Sequence, residues 1–194
     1  MMHWTLVPLG NPGADYAQNR HNLAQILISR WTERNQATWK TIKKYPSGLL
    51  QESSTGVRLL HPSTYMNLSG QICKEWVNYG GDPSTLLILH DEKDLPLGSG
   101  RFRSEGSHGG HNGMHSVIDH LGGGTGIHRL RLGIGPFERP LDEFVLSNFT
   151  PTEWDQIASM DASFDNVMLR IAHGESPLLL MNNLNGKGFW PATS

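Results

Sequence analysis

A chain of 194 residues with a net charge of −2 and a single cysteine can bury one real hydrophobic core and cannot close an internal disulfide. The near-neutral balance argues against binding nucleic acid through a global positive field, so any RNA contact has to be a local basic patch. No apolar run approaches membrane-spanning length, and MMHWTLVPLG at the start lacks the features of a secretory signal, so a membrane-free, cytoplasmic protein of one domain is expected.

Trp4 to Leu9 is a short apolar, β-prone run closed by the turn chemistry of Gly10-Asn11-Pro12-Gly13. The loop Ala14 to Asn22 leads into Leu23, Ile26, Leu27 and Trp31 at helical spacing, which places His21 and Asn22 near a helix start. Taken alone, Asn11 and Asn22 read as turn and capping residues and His21 as a surface histidine. Residues 38 to 60 carry two or three strands at one side of a sheet. Next, Tyr65-Met66-Asn67-Leu68-Ser69-Gly70 opens a helix with an apolar face of Leu68, Ile72, Trp76 and Tyr79, Asn67 sitting where a cap belongs. Gly80-Gly81-Asp82-Pro83 ends it.

Leu86 to Leu89 reads as a buried strand that ends at His90-Asp91, delivering a carboxylate to the carboxyl end of the sheet, where open α/β folds keep their sites. After a Pro and Gly turn, Gly100-Arg101-Phe102-Arg103 alternates as a strand with two cations on one face. Ser107-His108-Gly109-Gly110-His111-Asn112-Gly113 then precedes Met114, Val117, Ile118 and Leu121 at helical spacing, with the unpaired amides of a helix start facing the turn. One strand, turn and helix thus supply a carboxylate, cations, an imidazole and a carboxamide.

His128 to Gly135 alternates as a strand, Leu130, Leu132 and Ile134 on one face and Arg129 and Arg131 on the other, solvated one. Residues 137–149 have no clean period and read as a lid or a short edge strand. Thr150-Pro151-Thr152-Glu153 is a capping box ahead of a stripe of Trp154, Ile157, Met160, Phe164, Val167, Met168 and Ile171. Ser176-Pro177 starts a last short helix, and the tail at 187–194 reads as loosely held. Cys73 reads as an apolar filler.

Taken together, Gly10-Asn11-Pro12-Gly13, Arg20-His21-Asn22, Tyr65 to Gly70, His90-Asp91 with Asp94-Leu95-Pro96, and Gly109 to Gly113 closely resemble the bacterial-type peptidyl-tRNA hydrolases over about Val7 to Phe149. The sequence departs from that pattern at Pro8, usually glycine, and at Leu23-Ala24, usually smaller residues. The resemblance implies a single-domain α/β fold, a mixed, mostly parallel twisted sheet between two layers of helices, and hydrolysis of the ester joining a peptide to the 3′ end of tRNA. It implies His21 as catalytic base with Asp91 as its partner, and Asn11, Asn67 and Asn112 as substrate-orienting carboxamides. Tyr16, Met66 and His111 would line the same cleft, and Arg103 and Arg131 would clamp the tRNA 5′-phosphate.

The chemistry is coherent with that assignment. An imidazole near ~6.5 is the natural base for water attack at neutral pH when a carboxylate fixes its tautomer, and Asn112 with the amides of the following helix start could meet the oxyanion. No cofactor or metal is required, and the expected partner is peptidyl-tRNA, acceptor end and peptide, bound by a monomer. A catalytically silent RNA-binding relative on the same fold is the alternative, separable by a turnover assay. A zinc site on His108 and His111 lacks a third ligand at suitable spacing.

Overall fold

The computed structural model describes residues 1–192. Strands β1 (Thr5–Pro8), β2 (Trp39–Tyr45), β3 (Gly48–Ser53), β4 (Arg58–Pro62), β5 (Leu86–Pro96), β6 (Gly100–Arg103) and β7 (His128–Gly135) form one sheet in the order β2-β3-β4-β1-β5-β7-β6. Its centre, β4-β1-β5-β7, is parallel, while β2 and β3 at one edge and β6 at the other run antiparallel. This is the mixed sheet expected, its parallel part confined to the middle.

Successive residues of the central strands serve opposite faces, which is why Leu86 to Leu89 is continuously apolar. Leu6, Leu87, Leu89, Leu130 and Leu132 pack beneath α1 (Leu23–Arg34), α5 (Pro151–Ser159), α6 (Asp161–Ala172) and α7 (Pro177–Leu184). Val7, Ile88 and Leu60 pack beneath α2 (Gly70–Asn78) and α3 (Asn112–His120). A further short helix, α4 (Leu141–Val145), lies in the segment that was ambiguous between lid and strand. None of these helices is long and apolar enough to cross a membrane.

Several elements differ from the sequence-based expectation for identifiable reasons. β5 does not stop at Leu89. β7 keeps pairing with it through Glu92 and again at Pro96, so His90 and Asp91 lie inside a paired strand and on opposite faces. Arg129 is not solvated but 3 % exposed, because its guanidinium donates to the carbonyls of Ile127, Ser107 and Thr125 and so holds two loops together. On α2 the buried face is Gly70, Ile72, Cys73 and Trp76, while Leu68 and Tyr79 are exposed. Burial pushes the Cys73 thiol up to about 12, which suits a filler. The capping box at Thr150 forms, but the stripe behind it bends at Met160 into α5 and α6.

The tail is also held more firmly than expected. Trp190 is buried, its indole donates to the Leu184 carbonyl at 3.0 Å, and the Ala192 amide donates to Gly98 at 3.1 Å. Thr193 and Ser194 lie outside the described residues.

The two helices on the second face touch at Gly70. Its amide donates to Ser116 Oγ at 3.0 Å, and a Cβ there would stand 2.1 Å from the Ser116 carbonyl oxygen, which is main chain and cannot rotate away. This contact sets the distance between the turn carrying Asn67 and the start of α3. Gly70→Ala should therefore destabilise the fold by about 1–3 kcal/mol through overpacking, read from the denaturant midpoint; an unchanged midpoint would mean the helices separate freely.

Candidate active site

Asp91 projects from β5 on the α1 side of the sheet, 3 % exposed, and two histidines close on it. His21 arrives on a 3₁₀ turn, Arg20–Asn22, that runs directly into α1, and its Nδ1 lies 3.0 and 2.9 Å from the two carboxylate oxygens. His111 arrives from the other layer as the N-cap of α3, with Nε2 2.8 Å from Asp91 Oδ1.

Hydrogen bonding fixes which ring nitrogen carries each proton. His111 Nδ1 accepts from the amides of Gly113 and Met114, both at 3.1 Å, so it has no proton and Nε2–H is the donor to Asp91. His21 Nδ1–H likewise donates to the carboxylate. Its Nε2 keeps a lone pair and, among the described residues, no hydrogen-bond partner. Behind them the buried His90 ring lies 4.8 Å from His111, Nδ1 donating to the main-chain carbonyl of Asp91. Burial, helped by His111 and opposed by Asp91, pushes its pKa down to about 3, so His90 is a neutral filler at working pH.

The electrostatics of the pair follow. Burial opposes the charged carboxylate of Asp91, but the His21 and His111 rings outweigh it and hold its pKa below the usual range. Burial also opposes a charged His21, yet the charge and hydrogen bond of Asp91 raise its pKa above the ordinary 6.5.

The three ligand atoms lie within 4.8 Å of one another, close enough to raise the question of a metal. The donor set fits poorly. The His111 Nδ1 lone pair is occupied by two amides and its Nε2 bears a hydrogen, so neither nitrogen is open to an ion. The alternative of His108 with His111 fails for the same reason, and His108 itself stacks on His115 at 4.4 Å.

A cavity of about 270 Å³ opens beside His21, lined by Asp91, Glu92, Lys93, Gly109, Gly110, His111 and Asn112, with Leu141, Asp142 and Val145 of α4 across it. Asn11, Tyr16, Met66 and Asn67 are not among the residues lining this cavity. The Asn22 carboxamide does not cap α1; it accepts from the Asn11 amide and donates to the Asn11 carbonyl, both at 2.9 Å. Asn11 Oδ1 in turn accepts from the Met66 amide at 2.7 Å. Met66 is buried, and a Cβ on Gly113 would stand 2.4 Å from its sulfur, which puts it under the start of α3. Asn67 caps neither neighbouring helix and is exposed, as is Tyr65, against which Tyr16 packs edge-on at 6.1 Å.

The geometry narrows two expectations here. The Gly113 and Met114 amides are already taken by His111, so among the described residues the donors left at this helix start are the Asn112 main-chain amide and the Asn112 carboxamide, which is exposed on the cavity wall. Arg103 and Arg131 do line one hollow of about 270 Å³, yet it also holds Arg129, Glu92, Asp94 and Glu105, and Arg131 Nε is bound to Glu92 at 2.9 Å. Among the described residues Arg103 has no ion-pair partner. Sequence reasoning missed Asn22 as a staple, Arg129 as a loop anchor and Arg20, whose buried guanidinium grips the chain after α4.

Comparison with known proteins decides the family. Residues 5–189 match the family model described as peptidyl-tRNA hydrolase. The chain belongs to the peptidyl-tRNA hydrolase family. It is 39 % identical to a peptidyl-tRNA hydrolase of Gloeobacter violaceus, covering 95 % of this chain and 96 % of that one, and 42 % identical to one of Pseudomonas putida over 74 % of each. The crystal structure of the peptidyl-tRNA hydrolase of Acinetobacter baumannii matches with a TM-score of 0.79 at 33 % identity, covering 96 % of this chain and 97 % of that one. The departure at Pro8 is harmless to the sheet. Leu9 donates to β5, so the missing amide of Pro8 faces β4, which pairs with β1 only at Thr5 and Leu6.

Because Asp91 supplies what raises the His21 pKa and burial alone would lower it, Asp91→Asn should move the His21 ionisation below 6.5. Following the imidazole resonance against pH in both forms checks this; an unmoved midpoint would show that the two groups are not coupled.

Proposed function

We propose that this protein hydrolyses the ester linking a peptide to the 3′ end of tRNA, returning the tRNA to translation, with His21 as general base and Asp91 orienting it. The observation that supports this best is an imidazole whose Nδ1 is held by a buried carboxylate while its Nε2, beside a cavity, has no hydrogen-bond partner among the described residues. In that arrangement Nε2 removes a proton from water as the oxygen attacks the ester carbonyl. Asp91 stabilises the imidazolium that forms, and the proton then passes to the departing ribose oxygen. The Asn112 carboxamide meets the oxyanion. Asn11 and Asn67 grip the peptide with their carboxamides, Tyr16, Met66 and His111 shape the cleft, and α4 is the wall that covers the base. On this reading the protein works as a monomer in the cytosol.

His21→Ala should slow single-turnover cleavage by roughly 10² to 10⁴ while tRNA affinity survives. In the unaltered protein the rate should rise with pH as His21 loses its proton, the limb lying above 6.5 because the pKa is raised. Retained turnover in the variant would move the base elsewhere.

Carboxamides that pair with a peptide bond discriminate against a ligand lacking one. N-acylated aminoacyl-tRNA should be cleaved much faster than the unblocked form, and Asn67→Ala should narrow the gap; equal rates for both substrates would contradict this assignment.

The arginines should not contribute equally. Arg103→Ala should weaken substrates bearing a 5′-phosphate by about 1–3 kcal/mol and spare a minimal substrate without it. Arg131→Ala should matter less, since the Glu92 carboxylate on its Nε already offsets its charge. Equal losses on both substrates would indicate a damaged fold.

A further inference from the structure

Arg20 precedes the base in sequence, is 6 % exposed, and is bound to the chain after α4 through both terminal nitrogens. Its Nη1 donates to Ser147 Oγ and to the Asn148 carbonyl, at 2.5 and 2.9 Å. Its Nη2 reaches both oxygens of Glu153 at 3.0 and 2.7 Å, and Glu153 also closes the capping box of α5. The guanidinium carbon stands 4.6 Å from the centre of the Phe144 ring, and the Arg20 amide donates to the Ser147 carbonyl at 3.1 Å. The neighbouring Asn19 continues the seam, its Nδ2 donating to Asn148 Oδ1 at 2.6 Å.

A buried guanidinium is a poor way to stabilise a fold. An apolar side chain of similar volume is often as good or better, and here Nε is buried with no hydrogen-bond partner among the described residues. What the arrangement does supply is registry. It bolts the turn carrying His21 to the segment whose first half, Leu141, Asp142 and Val145, forms the far wall of the cavity.

We propose that Arg20 is a positioning residue for the hydrolysis, joining the α4 wall and the His21 turn into one body so that the cavity and the base keep a fixed relation. The proposal rests on His21 being the base. Glu153 and Phe144 are its partners in this role, Glu153 from α5 and Phe144 from α4. The guanidinium fork is essential because a lysine ammonium can reach one carboxylate oxygen but cannot bridge Ser147, Asn148 and Glu153 at once or lie flat on the Phe144 ring.

The test measures single-turnover cleavage of N-acylated aminoacyl-tRNA, tRNA affinity and thermal unfolding for Arg20→Lys, Glu153→Gln, the double variant and His21→Ala. At temperatures where it is fully folded, Arg20→Lys should cleave roughly 10- to 100-fold more slowly, the usual penalty of a misplaced reacting group. Its tRNA affinity and the midpoint of its pH limb should stay unchanged, since Asp91 still sets the His21 ionisation. Glu153→Gln should slow cleavage in the same direction and add little to Arg20→Lys. Amide exchange across 141–149 should accelerate in both. Should Arg20→Lys fold poorly, Phe144→Leu carries the same expectation. A folded Arg20→Lys that cleaves at the full rate, or a loss confined to melting temperature, overturns the proposal. Retained cleavage in His21→Ala would instead overturn the assignment of the base.

Discussion

A single buried carboxylate accepting from two imidazoles is the constraint on which the rest of the molecule depends. Two hydrogen bonds to an ionised acceptor contribute about 3–6 kcal/mol between them, set against a burial penalty of several kcal/mol for the charge. The balance is near zero, so Asp91 is not explained as a source of stability. Its effect is directional: it turns His21 Nδ1 inward and Nε2 outward, and it does so with His111 holding it from the opposite side.

That geometry needs both layers of the fold at once. His21 is delivered by the turn before α1 and His111 by the start of α3, so the helices on the two faces must arrive at the same end of β5 in register. A chain of small contacts keeps them there. Asn22 holds the Asn11 main chain, Asn11 holds the Met66 amide, Met66 sits under Gly113, and Gly113 with Met114 fixes the His111 ring. Asn11, for which the resemblance implies a substrate contact, is thus part of the framework of the site. Asn11 still has its side-chain Nδ2 to offer, whereas both ends of the Asn22 carboxamide are committed to the loop.

Much of this was legible in the sequence. The period-two and helical patterns located the central strands and most helices, and the separated motifs brought His21, Asp91, His111 and Asn112 to one place. What stayed hidden was decided by partners far away in the chain. Alternation at His128 to Gly135 puts Arg129 and Arg131 on one face but does not reveal that the carbonyls of Ser107 and Thr125 bury the first. The length of β5 depends on β7, not on its own residues. Residues 137–149 lack a period because α4 is only five residues long and packs by Phe144 against Arg20, a contact no local pattern encodes. Two of the free amides expected at the start of α3, those of Gly113 and Met114, were lost to a capping histidine that also belongs to the site.

The most direct test of the account is the tautomeric state of the two histidines. Nitrogen-15 spectra of the imidazoles, recorded above the His21 ionisation, should show His21 protonated at Nδ1 with a bare Nε2, and His111 the reverse, bare at Nδ1 and protonated at Nε2. A His21 ring protonated at Nε2 would leave no base facing the cavity and would contradict the mechanism at its first step.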